Sequence, residues 1–249
     1  HVRSRRQRQM CIRDSGRQRE LRVRQDFFSA GGGRVSHEFT VESSEVLIDA
    51  PIIAVRRDSV VMPGGKPANR EIVEHFGAVA VVALDDDGRV ALVEQYRHSV
   101  GKRLLELPAG LLDMYEEDEL VCAKRELVEE AGLEAEQWGV LVDLVTSPGF
   151  AEEAVRVFVA KQLREVERPE AEDEEADMDF RWMPLSEAAQ MVLRGEIVNS
   201  IAVGGILAAC RVAEGKAQPR DVSEPFELRP QSLPKRRAER GIVPDMKRI

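Results

Sequence analysis

The stretch Asp118-Glu-Leu-Val-Cys-Ala-Lys-Arg125-Glu126-Leu-Val-Glu129-Glu130-Ala-Gly132 decides how this chain is read. Apolar residues at 120, 123, 127, 128 and 131 have the i, i+3, i+4 spacing of an amphipathic helix, and Gly132 stops it. On that helix Glu126, Glu129 and Glu130 stand at i, i+3 and i+4, so three carboxylates project from one face. Like charges at this spacing cost a helix roughly a few tenths of a kcal/mol per pair. Arg125 can pair with Glu129, but one guanidinium cannot neutralise three carboxylates, whereas a divalent cation can. All-oxygen ligands without His or Cys select a hard ion, Mg²⁺ or Mn²⁺, over zinc. Taken alone, the same pattern also describes a solvated acidic face, so the surrounding residues have to decide.

Outward from the helix the chain reads as α/β (α+β). Leu104 to Gly110 is a short strand just upstream. Before it, Gly77 to Asp85 is an apolar run of strand length, Asp85-Asp-Asp-Gly88 a tight turn, and Val90 to Arg97 the partner strand of a central hairpin. Further upstream, Glu45 to Val55 and Arg57 to Met62 are β-branched runs, and Met62-Pro-Gly-Gly-Lys-Pro67 is a turn before Arg70 to Glu74. An N-terminal antiparallel β extension follows from these. Downstream, strands are expected at 138–145, 154–160 and 179–183, and helices at Leu185 to Leu193 and Ser200 to Glu214. Past Pro219 the composition turns to Pro, Arg, Lys and Glu without period, so 220–249 is expected to be a flexible tail.

The chain has 249 residues, 43% hydrophobic and 33% charged, enough for one sizeable core or two small ones. No apolar run approaches the roughly 18 to 20 residues of a membrane helix, and the Arg-rich start lacks an apolar h-region. That excludes a span and a secretory signal and makes the cytoplasm the expected location. Cys11, Cys122 and Cys210 are odd in number and far apart, which argues against a disulfide framework or a zinc site and for buried thiols. The net charge of −9 is split, with ten Arg against three acids in residues 1–34 and −16 left for the remainder. A polybasic nucleic-acid arm is one reading of that start. The preferred one is a non-native, disordered leader over 1–34. Met10-Cys-Ile-Arg-Asp-Ser15 resembles the in-frame translation of a sequencing-adapter end, and Val35 would then be read from a GTG start. The organisation expected is therefore a leader at 1–34, a β subdomain at 35–76, the domain bearing the acidic helix at 77–219, and the tail.

Gly110, six residues, Glu117, seven residues, then Arg125-Glu126-Leu127-x-Glu129-Glu130-x-Gly132-Leu133 resembles the signature of the Nudix hydrolases. The spacing common in that family from Gly to the first Glu is five residues. Here Leu111 to Glu116 makes six, which affects the loop and leaves the carboxylate spacing intact. The resemblance implies a mixed β-sheet sandwiched between helices and phosphoanhydride hydrolysis. Pro148, fifteen residues after Leu133, marks the ADP-ribose pyrophosphatase branch. Gln95-Tyr-Arg97, Leu105 to Gly110 and Glu174-Glu-Ala-Asp177 also look like that branch, particularly its actinobacterial members.

What the resemblance implies is then specific. Glu126 and Glu130 are metal ligands, Glu129 a shared or outer one, and the Ala109 carbonyl a backbone ligand, with Mg²⁺ as cofactor and Mn²⁺ as substitute. Metal ions neutralise the diphosphate and generate hydroxide near neutral pH. The proton of the attacking water goes to a glutamate on an acidic loop, matched by Glu175 with Glu174 next in line. Arg125 completes the catalytic set. Arg70 and Arg97 are candidates for diphosphate contacts because guanidinium is bidentate toward phosphate, exposed ion pairs being the alternative. Glu106 is expected at adenine or ribose, and Phe150 in the core or lining the pocket. The expected partners are a small nucleotide substrate and a second copy of the chain, with N-terminal strands exchanged so that residues near Ile52 and Ile53 cover the adenine bound by the other copy, and neither nucleic acid nor membrane. The alternatives are another nucleoside diphosphate sugar or a dinucleotide as substrate, and a non-catalytic ADP-ribose sensor. The intact carboxylates argue against the sensor.

Overall fold

The computed structural model of the chain describes residues 37–169 and 177–247, so the leader read over 1–34 and the loop candidates Glu174 and Glu175 lie outside the described residues. The chain divides into two compact units, His1–Glu45 with Arg57–Arg70, and Val46–Arg56 with Glu71–Ile249.

Strands β1 (Val41–Asp49), β2 (Ile53–Val61) and β3 (Pro67–His75) form a sheet in that order. The sequence places the first break near Arg56. It falls instead at Ala50-Pro51-Ile52, because Pro51 has no N–H to offer a ladder and the Ala50 N–H turns back to the Ile53 carbonyl at 2.9 Å. In the first unit the turn after β2 closes by a bond from Met62 N to the Lys66 carbonyl at 3.0 Å. Gly64 and Gly65 there take φ of 97° and 79°, which a side chain would resist.

The second unit holds β4 (Ala78–Ala83), β5 (Arg89–Arg97), β6 (Lys102–Glu106), β7 (Ala109–Leu111), β8 (Leu133–Val145), β9 (Ala154–Glu165) and β10 (Asp179–Pro184). They form two sheets, β7-β4-β9-β8 and β10-β5-β6. The central hairpin expected over 77–97 is corrected here. The turn exists, with the Gly88 N–H on the Asp85 carbonyl at 3.1 Å, but only the Leu84–Val90 bridge joins the two strands. β4 then pairs in parallel with β9 and antiparallel with β7, while β5 pairs with β10 and β6. A turn motif dictates chain reversal and not which sheet each arm joins. Every residue of β4 is buried, so it demands cover on both faces, as a strand interior to a layered sheet receives.

That cover comes from helices. Ala78, Ala80 and Val82 point into a cluster with Ala202, Ile206 and Ala209 of α3 (Ser200–Ala213) and with Leu185 and Ala188 of α2 (Leu185–Arg194). Their alternates Val79, Val81 and Ala83 point into a second cluster with Cys122, Ala123 and Leu127 of α1 (Glu119–Ala131). The mixed sheet is thus sandwiched between helices, as the fold expectation has it. Gly205 makes the α3 contact possible, since a Cβ there would lie 2.7 Å from Leu107 Cδ1 and 3.1 Å from Val82 and Val157.

The described part of 220–249 differs from the tail that the sequence suggests. It carries α4 (Ser232–Glu239) and buries Phe226, Leu233, Arg237 and Met246. Periodicity fails to show this because the apolar anchors are scattered and the rest of the hold is polar. Arg156 of β9, 1% exposed, grips Asp143 at 2.8 and 3.0 Å and donates to the Glu224 and Pro225 carbonyls at 2.6 and 3.0 Å. Arg237, fully buried, meets Asp49 at 2.7 Å and the Ala50 carbonyl at 2.6 Å. No helix among the described residues is long and apolar enough to cross a membrane.

Candidate active site

α1 begins where Asp118 caps it, its carboxylate accepting from Leu120 N at 2.9 Å and Val121 N at 3.2 Å, an arrangement that contributes about 1 kcal/mol. It ends at Gly132, left-handed at φ 63°, whose N–H bonds the Leu127 and Val128 carbonyls. Between these caps Leu127, Ala123 and Cys122 bury one stripe against β4, which aims the adjoining Glu126 and Glu130 at the β7 edge.

Arg125 organises the carboxylates. Its guanidinium takes Glu117 in a two-bond fork at 3.1 Å each, Glu126 at 2.6 Å and Glu129 at 2.9 Å. The pairing with Glu129 expected from the sequence is present, and Glu117 and Glu126 join it. These partners outweigh burial and hold the Arg125 proton more tightly than usual. Glu130, 6% exposed, accepts from Ala109 N at 2.9 Å. Glu126 is 9% exposed, and burial pushes its carboxyl up to about 7 against the pull of Arg125, with Glu129 and Asp113 adding to the rise. Gly110 is the reason Glu126 fits. A Cβ on residue 110 would stand 2.0 Å from the Glu126 Cδ and Oε1 atoms. The first glycine of the box is therefore a seat for a carboxylate.

The structure brings Ala109, Arg125, Glu126, Glu129 and Glu130 together and distributes the other candidates. Arg97 and Glu106 pair with each other across β5 and β6, Nε to Oε1 at 3.1 Å and Nη2 to Oε2 at 2.8 Å, with Glu106 buried. Arg70 lies in the first unit, exposed, its guanidinium on the Asn69 carbonyl at 2.9 Å. Phe150 is 58% exposed in the turn after Ser147, so it is not a core residue. Asp113 is the residue that sequence reasoning missed. It is 4% exposed, bears on Glu126, and meets Lys247 at 2.8 Å. A lone Asp in a loop and a Lys far along the chain carry no spacing signal that would have joined them. A cavity of about 620 Å³ lies elsewhere, walled by Leu84, Gly88, Lys161, Leu185 and Cys210, and shares no residue with the box.

Two family models cover this chain. The model described as NUDIX domain matches residues 74–200, and one described as nucleoside diphosphate sugar hydrolase N-terminal domain matches 39–73. The chain belongs to the Nudix family. A relative named ADP-ribose pyrophosphatase, from Mycobacterium tuberculosis, is 57% identical over 82% of this chain and 99% of its own length. A methanol dehydrogenase activator from Bacillus methanolicus is 38% identical over 68% of this chain and 90% of that protein. A crystal structure of an ADP compounds hydrolase superposes with a TM-score of 0.61, covering 74% of this chain and all of the other at 18% identity, which speaks for the fold.

As a Nudix protein of this kind the chain depends on a divalent metal. Among the described residues no group of three or more His, Cys, Asp or Glu side chains stands ready-made around a metal position. The donor set nevertheless fits a hard cation. Two buried carboxylates flank the Ala109 and Gly110 backbone, every donor is oxygen, and one guanidinium, that of Arg125, is shared among Glu117, Glu126 and Glu129.

Proposed function

We propose that this Nudix protein hydrolyses the diphosphate of ADP-ribose to AMP and ribose 5-phosphate, with Mg²⁺ held by Glu126, Glu130 and the Ala109 carbonyl and Glu129 at its margin. The observation that carries the reading is the buried Glu126 seated on Gly110, joined to a relative of that name matched over nearly its whole length. When bound, the cation supplies Lewis acidity toward the phosphates and makes water acidic enough to attack near neutral pH. The chain does the rest. Glu117 clamps Arg125 so that the guanidinium partly offsets the box carboxylates before the cation arrives. Glu106 sets the orientation of Arg97, a half-exposed guanidinium suited to diphosphate oxygens. Glu175 takes the proton of the attacking water, with Glu174 as its neighbour. The protein acts as a homodimer in this reading. Support for that comes from Val46 and Ile48, exposed at alternate positions of β1 and so on one face of the strand, an apolar surface for a second copy to cover.

The match of residues 39–73 to a nucleoside diphosphate sugar hydrolase N-terminal domain favours a second reading, in which a related nucleoside diphosphate sugar is preferred. A panel of ADP-ribose, other nucleoside diphosphate sugars and dinucleoside polyphosphates, run with Mg²⁺, with Mn²⁺ and with chelator, separates the two. AMP and ribose 5-phosphate should form from ADP-ribose only with metal. Intact ADP-ribose beside a cleaved alternative would move the chain to the second reading.

Gly110→Ala tests the carboxylate seat. The clashing atoms are the end of a flexible side chain, so the fold should survive while Glu126 is displaced. A fall in kcat of about 10- to 100-fold with a nearly unchanged melting temperature is expected, the scale of an ångström-level misplacement. Wild-type turnover in this variant would mean that Glu126 is not needed where it lies.

A further inference from the structure

The loop Leu112–Asp118, which carries the extra residue of the box, is a poor candidate for self-support. Tyr115 and Glu116 are exposed, and Glu116 sits at φ 58°, a left-handed conformation that a glutamate adopts at a cost. Ordering each such residue costs roughly 1 to 2 kcal/mol of backbone entropy. Yet this loop delivers Glu117, whose carboxylate forks onto Arg125, and Arg125 in turn holds Glu126 and Glu129. Any looseness at Glu117 is passed along that chain of ion pairs.

The C-terminal segment lies against the loop along its length. Tyr115 N donates to the Pro244 carbonyl at 2.8 Å, and Met246 N to the Asp113 carbonyl at 2.9 Å, so Met114 and Asp245 form an antiparallel bridge. Lys247 meets the buried Asp113 at 2.8 Å. Arg229 closes the other end, its Nη1 donating to the Glu117 carbonyl at 3.0 Å and to Glu119 at 2.9 Å. The segment is itself anchored. Met246, 1% exposed, packs with Ala54, Phe76 and Leu233, and α4 is pinned through Arg237 to Asp49.

We propose that residues 229–247 are a strap that fixes the Nudix loop, making Arg229 and Lys247 positioning residues for the Glu117–Arg125–Glu126 array. Neither touches substrate. Arg229 holds the main chain of Glu117, and Lys247, from outside the box, pairs with Asp113, an acid that bears on Glu126. The extra loop residue is accommodated because the chain's own C-terminal segment supplies the main-chain partners that a longer loop lacks. This role rests on the hydrolytic reading of the site, but its first readout does not.

The test uses the full chain carrying Arg229→Ala with Lys247→Ala, and Arg229→Lys alone. Hydrogen exchange is followed peptide by peptide, and kcat and KM for ADP-ribose are measured at saturating Mg²⁺ well below both melting midpoints. In the double variant, amides of Leu112–Asp118 should exchange about tenfold faster, the scale of one or two lost hydrogen bonds, while β4 and β9 keep their protection. kcat should fall about 10- to 100-fold with KM within about twofold, and Arg229→Lys should recover part of the loss. Unchanged loop exchange, unchanged kcat, or protection lost across the central sheet as well would each overturn the strap. If the wild-type protein leaves ADP-ribose intact, the proposed substrate fails, and the exchange experiment still decides whether the loop is held from the C-terminal segment.

Discussion

Glu126→Gln is expected to lower turnover by at least about 100-fold, the upper end of what losing an outer partner of a metal ligand costs, and to stabilise the metal-free protein above pH 7. The two effects have one origin. Glu126 is buried, and burial lifts its carboxyl from the ordinary 4.5 to about 7. Between those values the unfolded chain is ionised at this position and the folded chain holds its proton, so stability falls as pH rises through the window. Above about 7 the cost is fully present, and the interval between the two values corresponds to roughly 3 kcal/mol. Glutamine keeps the shape and removes the charge, so that cost disappears together with the carboxylate proposed to hold the metal. Melting curves in chelator at pH 5 and pH 8, set beside kinetics with Mg²⁺, read both at once. A variant with wild-type turnover would remove Glu126 from the metal site, and one melting below wild type at the higher pH would contradict the burial argument.

The sequence made α1 legible because both of its ends are written in side chains: Asp118 caps one and Gly132 the other, and the apolar stripe between them has an unambiguous period. It made the box legible for the same local reason, since Arg125, Glu126 and Glu129 are helical neighbours. What it left obscure depends on contacts distant in the chain. The Asp85–Gly88 turn is visible, but the departure of β4 and β5 into different sheets is decided by β9 and β10, seventy or more residues away. Arg97 and Glu106 each look like ligand-binding residues until the pairing of β5 with β6, which sets Arg97 beside Lys102 and Glu106 beside Val93, lets their long side chains meet along the strands. The segment after Pro219 looks unstructured because its apolar anchors Phe226, Leu233 and Met246 are far apart and the rest of its hold is polar: Arg156 reaches the Glu224 and Pro225 carbonyls, and Arg237 reaches Asp49, none of which leaves a hydrophobic period to read. Gly110 was legible as a motif position, and its reason, a carboxylate resting where a Cβ would be, only in three dimensions.

Replacing Glu175 by Gln should reduce kcat by about 100- to 10,000-fold, the range for a lost general base, while leaving KM and metal affinity comparatively unchanged. The box carboxylates are poor candidates for that proton. Glu117, Glu126 and Glu129 are all bonded to Arg125, and Glu130 to the Ala109 N–H. The acids after Ser147 are committed as well. Glu152 is held by Arg56 at 2.5 Å and Ser232 at 3.0 Å, and Glu153 by Thr146. From Glu165 to Asp179 there are nine acids, and the described root of that segment is tied to the box helix. Val166 N bonds the Gly132 carbonyl at 2.9 Å, and Arg168 Nε bonds the Glu129 carbonyl at 2.7 Å. Glu175 is the seventh residue after Arg168, so the chain length between them spans at most roughly 24 Å at about 3.4 Å per residue. Glu174→Gln should do much less, since the base is assigned to Glu175. If the larger loss falls on Glu174, or on Glu152 or Glu153 despite their partners, the base has been assigned to the wrong carboxylate and the role passes to the residue that fails.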